Sequence, residues 1–280
     1  MTPSGTLVRW MVLALALPIF FILAIYIFFP SKTVEREIMA GFEAQTLSIS
    51  PGLHKTFFPG LRWDNPVFSS DRGGLIRFDE MRLTPRLWPL LKGRIVLRAT
   101  ARRGGGRLDA DYGVLGEKAL DLHASDVKLN DIPFFQTVLG ARAGGILWSE
   151  GSFTRSTAGL SGGLKLDVQH LELSGVRVGS FSLPDVSNLH SQGMVRVTGN
   201  KARLESFTLQ GDGIYMRLSG DVPSGAFAAN SALNLVLEIM PKPEFIEKQK
   251  LVFLLLAKFM TSPGVYQVPI RGTLLKPEIV

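Results

Sequence analysis

The chain of 280 residues contains no cysteine, and it has only 4 tryptophans, 4 tyrosines and 4 histidines. The absence of cysteine excludes disulfides, thiolate metal sites and cysteine nucleophiles, and it leaves the redox compartment undecided. No HExxH motif is present, and the four histidines lie far apart, at His54, His123, His170 and His190. They are therefore interpreted as isolated surface or strand-edge residues and not as metal ligands.

Motifs for catalysis and phosphate binding are missing as well. Residues 159–163 match the letters G-x-S-x-G, but the segment that follows them is strand-like, whereas a nucleophile elbow must open a helix. The match is therefore interpreted as a turn of small residues around Ser161. The three glycines at 104–106 lack the Lys-Ser/Thr of a phosphate loop. The sequence predicts a protein without catalytic residues, cofactor or metal.

The formal net charge of +7 raises the question of an acidic partner. Basic residues are spread among acids, and no nucleic-acid-binding motif is present, so nucleic acid is not an expected partner. The densest group of charge is a set of five arginines: Arg94, Arg98, Arg102, Arg103 and Arg107. The simplest interpretation is a solvated sheet face with Asp109 and Asp111 as cross-strand partners. In the alternative, the first four arginines contact anionic lipid headgroups or an acidic partner.

A run of uncharged residues from 10 to 29 is long enough to cross a membrane. At about 1.5 Å per residue it spans about 30 Å, which is the thickness of the hydrocarbon core of a bilayer. A cleaved signal peptide is the rival interpretation, but the run is longer than such peptides carry, and its end, IYIFFPS, offers no small-x-small site. We therefore predict a transmembrane anchor over residues 10–29.

The anchor divides the chain into four parts. Residues 1–9 form a short cytoplasmic tail, residues 30–50 a juxtamembrane connection, and residues 51–280 a β-rich domain. The positive charges on the two sides of the span nearly balance, so they do not fix its orientation. In a bacterium with two membranes, we expect a single-pass protein of the inner membrane with most of its chain in the periplasm.

Alternation of apolar and polar residues dominates the part after the anchor. Residues 95–112 predict a hairpin that turns at the glycines 104–106, with one apolar face and one face of arginine set against aspartate. Residues 233–239 alternate most cleanly, and small-residue turns are expected at 144–145 and 162–163. Together these signals predict about twelve to sixteen strands.

The predicted fold class is mainly β. A single N-terminal transmembrane helix is followed by an elongated, curved antiparallel sheet, an open trough or half-barrel, with an amphipathic helix near the C-terminus. Because the strands are apolar on one face only, that face must be covered by a second sheet, a helix, its own curling or a ligand.

Few helices are expected after the anchor, at residues 32–45, 87–91, 134–139 and from 243 to about 260. The last of these is too short a run for a second span. It is interpreted as a lid on the apolar sheet face, with docking on a membrane surface or in the groove of another protein as the alternative. The candidate lid or interaction residues of the C-terminal block 241–280 are Phe245, Val252, Phe253, Leu256, Phe259, Tyr266 and Arg271.

The C-terminal residues 237–279 carry a family resemblance. Its distinctive positions are Pro241, Pro243, Glu244, the Phe-Leu-Leu helix core, Lys258-Phe259, Ser262-Pro263-Gly264 and the PIRGTL segment at 269–274. On these residues the chain resembles the type II secretion system protein N family in its delta-proteobacterial form. The middle of the chain, with stretches such as LDVQHLELSGVRVGSFSLPDVS, looks like AsmA-like periplasmic proteins.

The two resemblances imply two functions. The first implies an inner-membrane accessory component of the machinery that exports folded proteins, which acts by contact with other secretion components and without catalysis. The second implies a trough whose apolar lining holds acyl chains, so that the protein binds or transfers lipid.

Overall fold

The computed structural model describes residues 16, 20, 31–44, 46–56, 60–90, 92–114, 118–157, 159–199, 201–211, 213–223 and 231–280. Apart from Ala16 and Phe20, the predicted anchor at 10–29 lies outside these residues. Within the described ranges, no helix combines the length and the apolar character that crossing a bilayer requires.

Antiparallel strands make up most of the described chain, which confirms the predicted fold class in its main feature. The strands are β1 (Leu47–Ile49), β2 (Leu53–Lys55), β3 (Leu61–Asp64), β4 (Val67–Ser70), β5 (Gly73–Arg77), β6 (Glu80–Pro85), β7 (Val96–Arg103), β8 (Gly106–Gly113), β9 (Lys118–Lys128), β10 (Arg142–Ser156), β11 (Gly159–Ser174), β12 (Arg177–Val178), β13 (Phe181–Ser182), β14 (Val186–Gly199), β15 (Lys201–Gly211), β16 (Ile214–Val222), β17 (Asn234–Pro241), β18 (Met260–Ser262), β19 (Val265–Gly272) and β20 (Pro277–Ile279).

The helices in the described ranges are short and lie between or beside the strands. They are α1 (Ser31–Glu43), α2 (Leu87–Leu90), α3 (Phe134–Leu139), α4 (Pro243–Lys248) and α5 (Lys250–Leu256). Single turns of 3-10 helix occur at Leu129–Asp131 and Ala257–Phe259. Helix α1 falls where the juxtamembrane connection was expected, and β1, which follows it, pairs with β4.

One long sheet organises the protein. Its strand order is β18-β19-β17-β16-β15-β14-β11-β10-β9-β8-β7-β6-β3-β2, with β20 also paired to β19. Fourteen strands follow one another along this path, so at about 4.8 Å per spacing the path measured across the strands is about 60 Å long. Because β2 and β18 do not pair with each other, the described sheet is open. Strands β1, β4 and β5 form a small second sheet, and β12 pairs with β13.

The predicted hairpin is confirmed by β7 and β8. Their register places Arg98 opposite Asp111 and Ala99 opposite Ala110, so charged pairs and apolar pairs fall on opposite faces. The same alternation continues through β17, where Leu235, Leu237 and Ile239 are buried. One face of the sheet is therefore apolar along its length and the other is polar.

The turns expected at 144–145 and 162–163 are wrong, since both pairs of glycines lie inside the long strands β10 and β11. A Cβ atom at Gly162 would stand 2.2 Å from the carbonyl oxygen of Ser152 and 2.7 Å from Cα of Phe153. Glycine is needed there because two strands approach closely, and not because the chain reverses. Ser161 consequently lies within β11, opposite Thr154.

A line of bulges crosses the middle strands. The pairings β9–β10, β10–β11 and β11–β14 each shift register near Asp126, Gly145 and His170, and these three residues have positive φ angles of 54°, 125° and 51°. Asn188 on β14 has a φ of 51°, and its Oδ1 lies 2.9 Å from Nδ1 of His170. Bulges bend strands and increase their twist, so the strand ends beyond this line are turned away from the rest of the sheet.

The largest buried cluster lies beyond these bulges and across β15, β16, β17 and β19. It joins sheet residues such as Leu189, Ile239 and Val268 to Phe253 and Leu256 of α5. Helix α5 therefore covers the apolar face at the β19 end of the sheet. This burial is expected, because the alternation of apolar and polar residues gives the sheet one apolar face that another element must cover.

The opposite end of the sheet is covered by α1. Phe42 lies 5.4 Å from Phe68, ring centroid to ring centroid, and its neighbours on the helix pack with Leu53 and Trp63. Oε1 of Glu35 accepts hydrogen bonds from the backbone N–H groups of Gly52 at 2.9 Å and Leu53 at 3.2 Å. These two bonds lower the pKa of Glu35, and they occupy donors at the edge strand β2.

The expected C-terminal helix from 243 to about 260 is wrong in its length and continuity. It breaks at Gln249, where φ is −128°, and α5 ends at Leu256. The Gln249 side chain fixes the break, because its Oε1 accepts from Asp185 N–H at 2.8 Å and its Nε2 donates to Asp185 O at 2.7 Å. Met260, expected on the helix, begins β18.

Replacing Leu256 with alanine tests the burial of α5. Leu256 is fully buried, so Leu256→Ala is expected to lower the free energy of unfolding of the full chain by about 2–5 kcal/mol. Its neighbour Leu255 is 58% exposed, and Leu255→Ala is expected to change it by no more than about 0.5 kcal/mol. Denaturant titration of both variants measures the difference. Equal losses would contradict the observed orientation of α5.

Candidate functional site

A stripe of half-buried leucines crosses the apolar face of the central strands. We call it the central stripe; it runs across β7, β8, β9 and β11 and consists of Leu97, Leu108, Leu120, Leu122, Leu164 and Leu166. Register places these side chains on one face: Leu120 lies opposite Tyr112 and Phe153, and Leu164 lies opposite Gly151. From β7 to β11 the central stripe covers about 19 Å in the hydrogen-bonding direction.

The central stripe is not covered in the way the two ends of the sheet are. None of its leucines belongs to the three apolar clusters formed by the described residues. Between the leucines the face carries small side chains, such as Ala99 opposite Ala110. The face therefore combines leucines with small alanine side chains. On the same face Ala101, Ala124 and Phe153 are buried, so part of this surface is shielded by its own neighbours, and α1 and α5 pack at the two ends of the sheet.

The opposite face of the same strands carries ion pairs. Arg98 donates to Asp111 through Nε at 2.8 Å and through Nη2 at 2.9 Å, a two-pronged arrangement across β7 and β8. Nη1 of Arg86 lies 3.2 Å from the same carboxylate. The Arg98 guanidinium lowers the pKa of Asp111 by hydrogen bonding and by charge, against the effect of burial. The two arginines neutralise the charge of the Asp111 carboxylate on this face, and they do not favour the protonated carboxyl that general acid catalysis would need.

The arginines that were candidate contacts for headgroups differ in their surroundings. Arg98 is paired as described, and Nη1 of Arg103 lies 2.7 Å from Oδ1 of Asp79. The pKa of Asp79 is lowered first by a hydrogen bond from the backbone N–H of Gly104 and then by Arg103. Arg94 and Arg102 are exposed and form no ion pair with the rest of the described chain. Of the four candidate arginines, Arg94 and Arg102 are therefore the two that present an unpaired charge to a partner.

The candidate lid residues separate into three environments. Phe253, Leu256 and Tyr266 are buried in the largest cluster, with the rings of Phe253 and Tyr266 5.4 Å apart. Partly buried residues at the edge of this cluster are Phe245, Val252 and Phe259. Arg271 is exposed on β19. A partner could therefore reach Arg271, whereas the first three residues hold the C-terminal block to the sheet.

Sequence reasoning missed the residues that α5 exposes. Leu251, Leu254 and Leu255 have 78%, 69% and 58% of their surface accessible. The signal was present, because an unbroken apolar run of six residues from 251 to 256 covers the whole circumference of a helix. Burying the face with Phe253 and Leu256 necessarily turns the other leucines to the outside.

No cluster of three or more potential metal ligands occurs among the described residues. The histidines remain separate there: His170 contacts Asn188, and Nε2 of His190 lies 3.9 Å from Oδ2 of Asp167. Ser161 in β11 faces strand neighbours and has no histidine opposite it in the β10 and β14 registers.

Comparisons with protein-family models, with curated proteins and with solved structures find no match to this chain.

Acid titration tests the Arg98–Asp111 pair. Since the pKa of Asp111 is depressed below its ordinary value of about 3.9, the pair stabilises the fold above that pH and loses its contribution as the pH falls through the depressed value. Asp111→Asn is expected to cost about 1 kcal/mol near pH 7, and the deficit relative to wild type should shrink below about pH 4. Denaturant titration at several pH values measures it.

The control is Asp221→Asn, at an exposed carboxyl on β16. This change is expected to alter the free energy of unfolding near pH 7 by no more than about 0.5 kcal/mol. A deficit for Asp111→Asn that stays constant down to pH values well below about 3.9 would contradict the assignment.

Proposed function

We propose that this chain is a non-catalytic accessory component of type II secretion, anchored in the inner membrane with its sheet in the periplasm. The support is the C-terminal block, whose residues carry the resemblance and which folds as one unit. Its strand β19 pairs with β18 and β20 and also with β17, the strand that leads into the block, and α4 and α5 lie between β17 and β18 in sequence. That unit closes one end of the sheet and presents exposed side chains such as Arg271.

The two ends of the sheet have different roles in this proposal. Helix α1 follows the predicted anchor and packs at the β2 end, so it ties the sheet to the membrane through buried contacts rather than through a loose linker. The C-terminal block includes the other edge of the long sheet, and its Leu275 packs with Leu75 of β5 and Leu47 of β1. These contacts hold the block to the rest of the domain, and its exposed side chains are the ones that other secretion components would bind.

Photo-crosslinking in cells tests the secretion role. A photoreactive residue in place of Arg271 or Lys242, both exposed in the C-terminal block, is expected to give adducts with components of the secretion machinery. The matched control is the same residue in place of exposed His54, on the edge strand β2 at the opposite end of the long sheet. Adducts only with unrelated proteins, or identical adducts from both ends, would count against the proposal.

The central stripe favours a second candidate function, which is binding or transfer of lipid. An apolar surface of half-buried leucines that belong to none of the described clusters suits the acyl chains of a lipid. The polar face behind it, with its neutralised ion pairs, stays in water. Both functions are compatible with one architecture, because the central stripe and the C-terminal block are different parts of the same sheet.

Paired substitutions on single strands test lipid binding. Leu122→Glu and Leu164→Glu place a charge on the central stripe and are expected to reduce the lipid bound per chain severalfold, since a buried carboxylate is costly. His123→Glu and Lys165→Glu change the next residue on the opposite face and should leave it unchanged. Native mass spectrometry of the purified full chain counts the bound lipid.

Thermal unfolding of each variant shows whether the glutamate variants remain folded. If they do not, Leu122→Ser is the milder polar substitution at the same position for the lipid measurement. Full chain that carries no lipid, or equal lipid in the variants of both faces, would rule out this second function.

A further inference from the structure

The exposed face of α5 forms an apolar patch, which we call the leucine patch: Leu251, Leu254 and Leu255. Their spacing of three and four residues puts them on one side of the helix, opposite Phe253 and Leu256. A single exposed leucine is ordinary on a protein surface, but three that are at least 58% exposed on seven residues of helix form a contiguous patch.

The charge around the leucine patch is positive. Lys250 is the only charged residue of α5, and Lys248 and Lys258 stand exposed before and after it. Nζ of Lys258 lies 4.4 Å from the ring centroid of Phe181 and 4.6 Å from that of Phe259, so its ammonium group makes cation–π contacts with both rings. Acidic residues are also present: Glu244 and Glu247 lie on α4, as Lys248 does, and the exposed Asp185 is hydrogen-bonded through its backbone to Gln249 at the break.

We propose that the leucine patch docks on the surface of an anionic lipid bilayer, with its leucines in the acyl-chain boundary and the surrounding lysines at the headgroups. Short amphipathic helices with lysines at the rim of an apolar face bind membranes in this way, and each lysine adds attraction to anionic lipid. Protein-binding hot spots instead favour tryptophan, tyrosine and arginine, none of which occurs in α5.

The predicted anchor at 10–29 strengthens this choice of occupant. A chain attached to a membrane meets bilayer surface at high local concentration. Docking of the leucine patch would then fix the far end of the sheet as well as the attached end. The inference shares the predicted anchor with the secretion proposal, but it concerns neither the central stripe nor Arg271, so the two proposals can fail separately.

The lack of native cysteine allows a single reporter to be attached. Ala257→Cys, next to the leucine patch and exposed, carries an environment-sensitive NBD group without replacing a leucine. The full chain is held in phosphatidylcholine nanodiscs and titrated with vesicles of phosphatidylcholine and phosphatidylglycerol that contain a spin-labelled lipid. NBD emission is expected to shift to the blue and to be quenched. The same label at Lys165→Cys, on the polar face, is expected to stay in water.

Two sets of variants separate the apolar and the charged contributions. Leu254→Ser with Leu255→Ser is expected to weaken vesicle binding tenfold or more, on the order of one buried leucine side chain lost. Lys248→Gln with Lys250→Gln is expected to weaken it about thirtyfold, and the corresponding arginine variants should restore it. All of these positions are exposed, so thermal unfolding should be unchanged.

Three outcomes would overturn the proposal. The first is an NBD group that remains in water with every vesicle. The second is equal binding to vesicles of phosphatidylcholine alone, since the lysines would then play no part. The third is binding that persists in the serine variants.

Discussion

A sheet with one apolar face and one charged face must keep water away from the apolar side, and that constraint determines most of this structure. At the β2 end the covering element is α1, and at the β19 end it is α5 with the residues packed around it. Between them the leucines of the central stripe lie in none of the described clusters. The protein covers the two ends with its own helices, and the middle is the surface on which the lipid-binding proposal rests.

The need to cover the apolar face also divides the C-terminal residues into buried ones that hold the structure together and exposed ones that a partner can reach. Residues that hold α5 down, such as Phe253 and Leu256, cannot also serve a partner, because they are buried. The leucines on the other side of that helix, the central stripe and the exposed arginine on β19 are the surfaces that remain. Charge follows the division: Arg98 and Arg103 are neutralised by aspartates, whereas the lysines beside α5 are exposed and without an ion pair in the described chain.

The alternation of apolar and polar residues predicted those features of the fold that depend only on residues close in sequence. The hairpin of β7 and β8 and the buried face of β17 follow from alternation alone. The bulges at Asp126, Gly145 and His170 depend on which strands pair, so the local sequence pattern does not predict them. Gly162 looked like a turn because glycine usually marks one, whereas close contact between β10 and β11 requires it. The run at 251–256 indicated a helix without showing which side would be buried.

Single-cysteine labelling along β9, in the full chain within its membrane, tests the central claim most directly. Cysteines at 121, 123 and 125 face the polar side, and cysteines at 120, 122 and 124 face the apolar side. The account predicts that a water-soluble maleimide labels the first set quickly and the second set slowly, with 120 and 122 becoming reactive once detergent removes any occupant. Equal reactivity of neighbouring positions before extraction would contradict it.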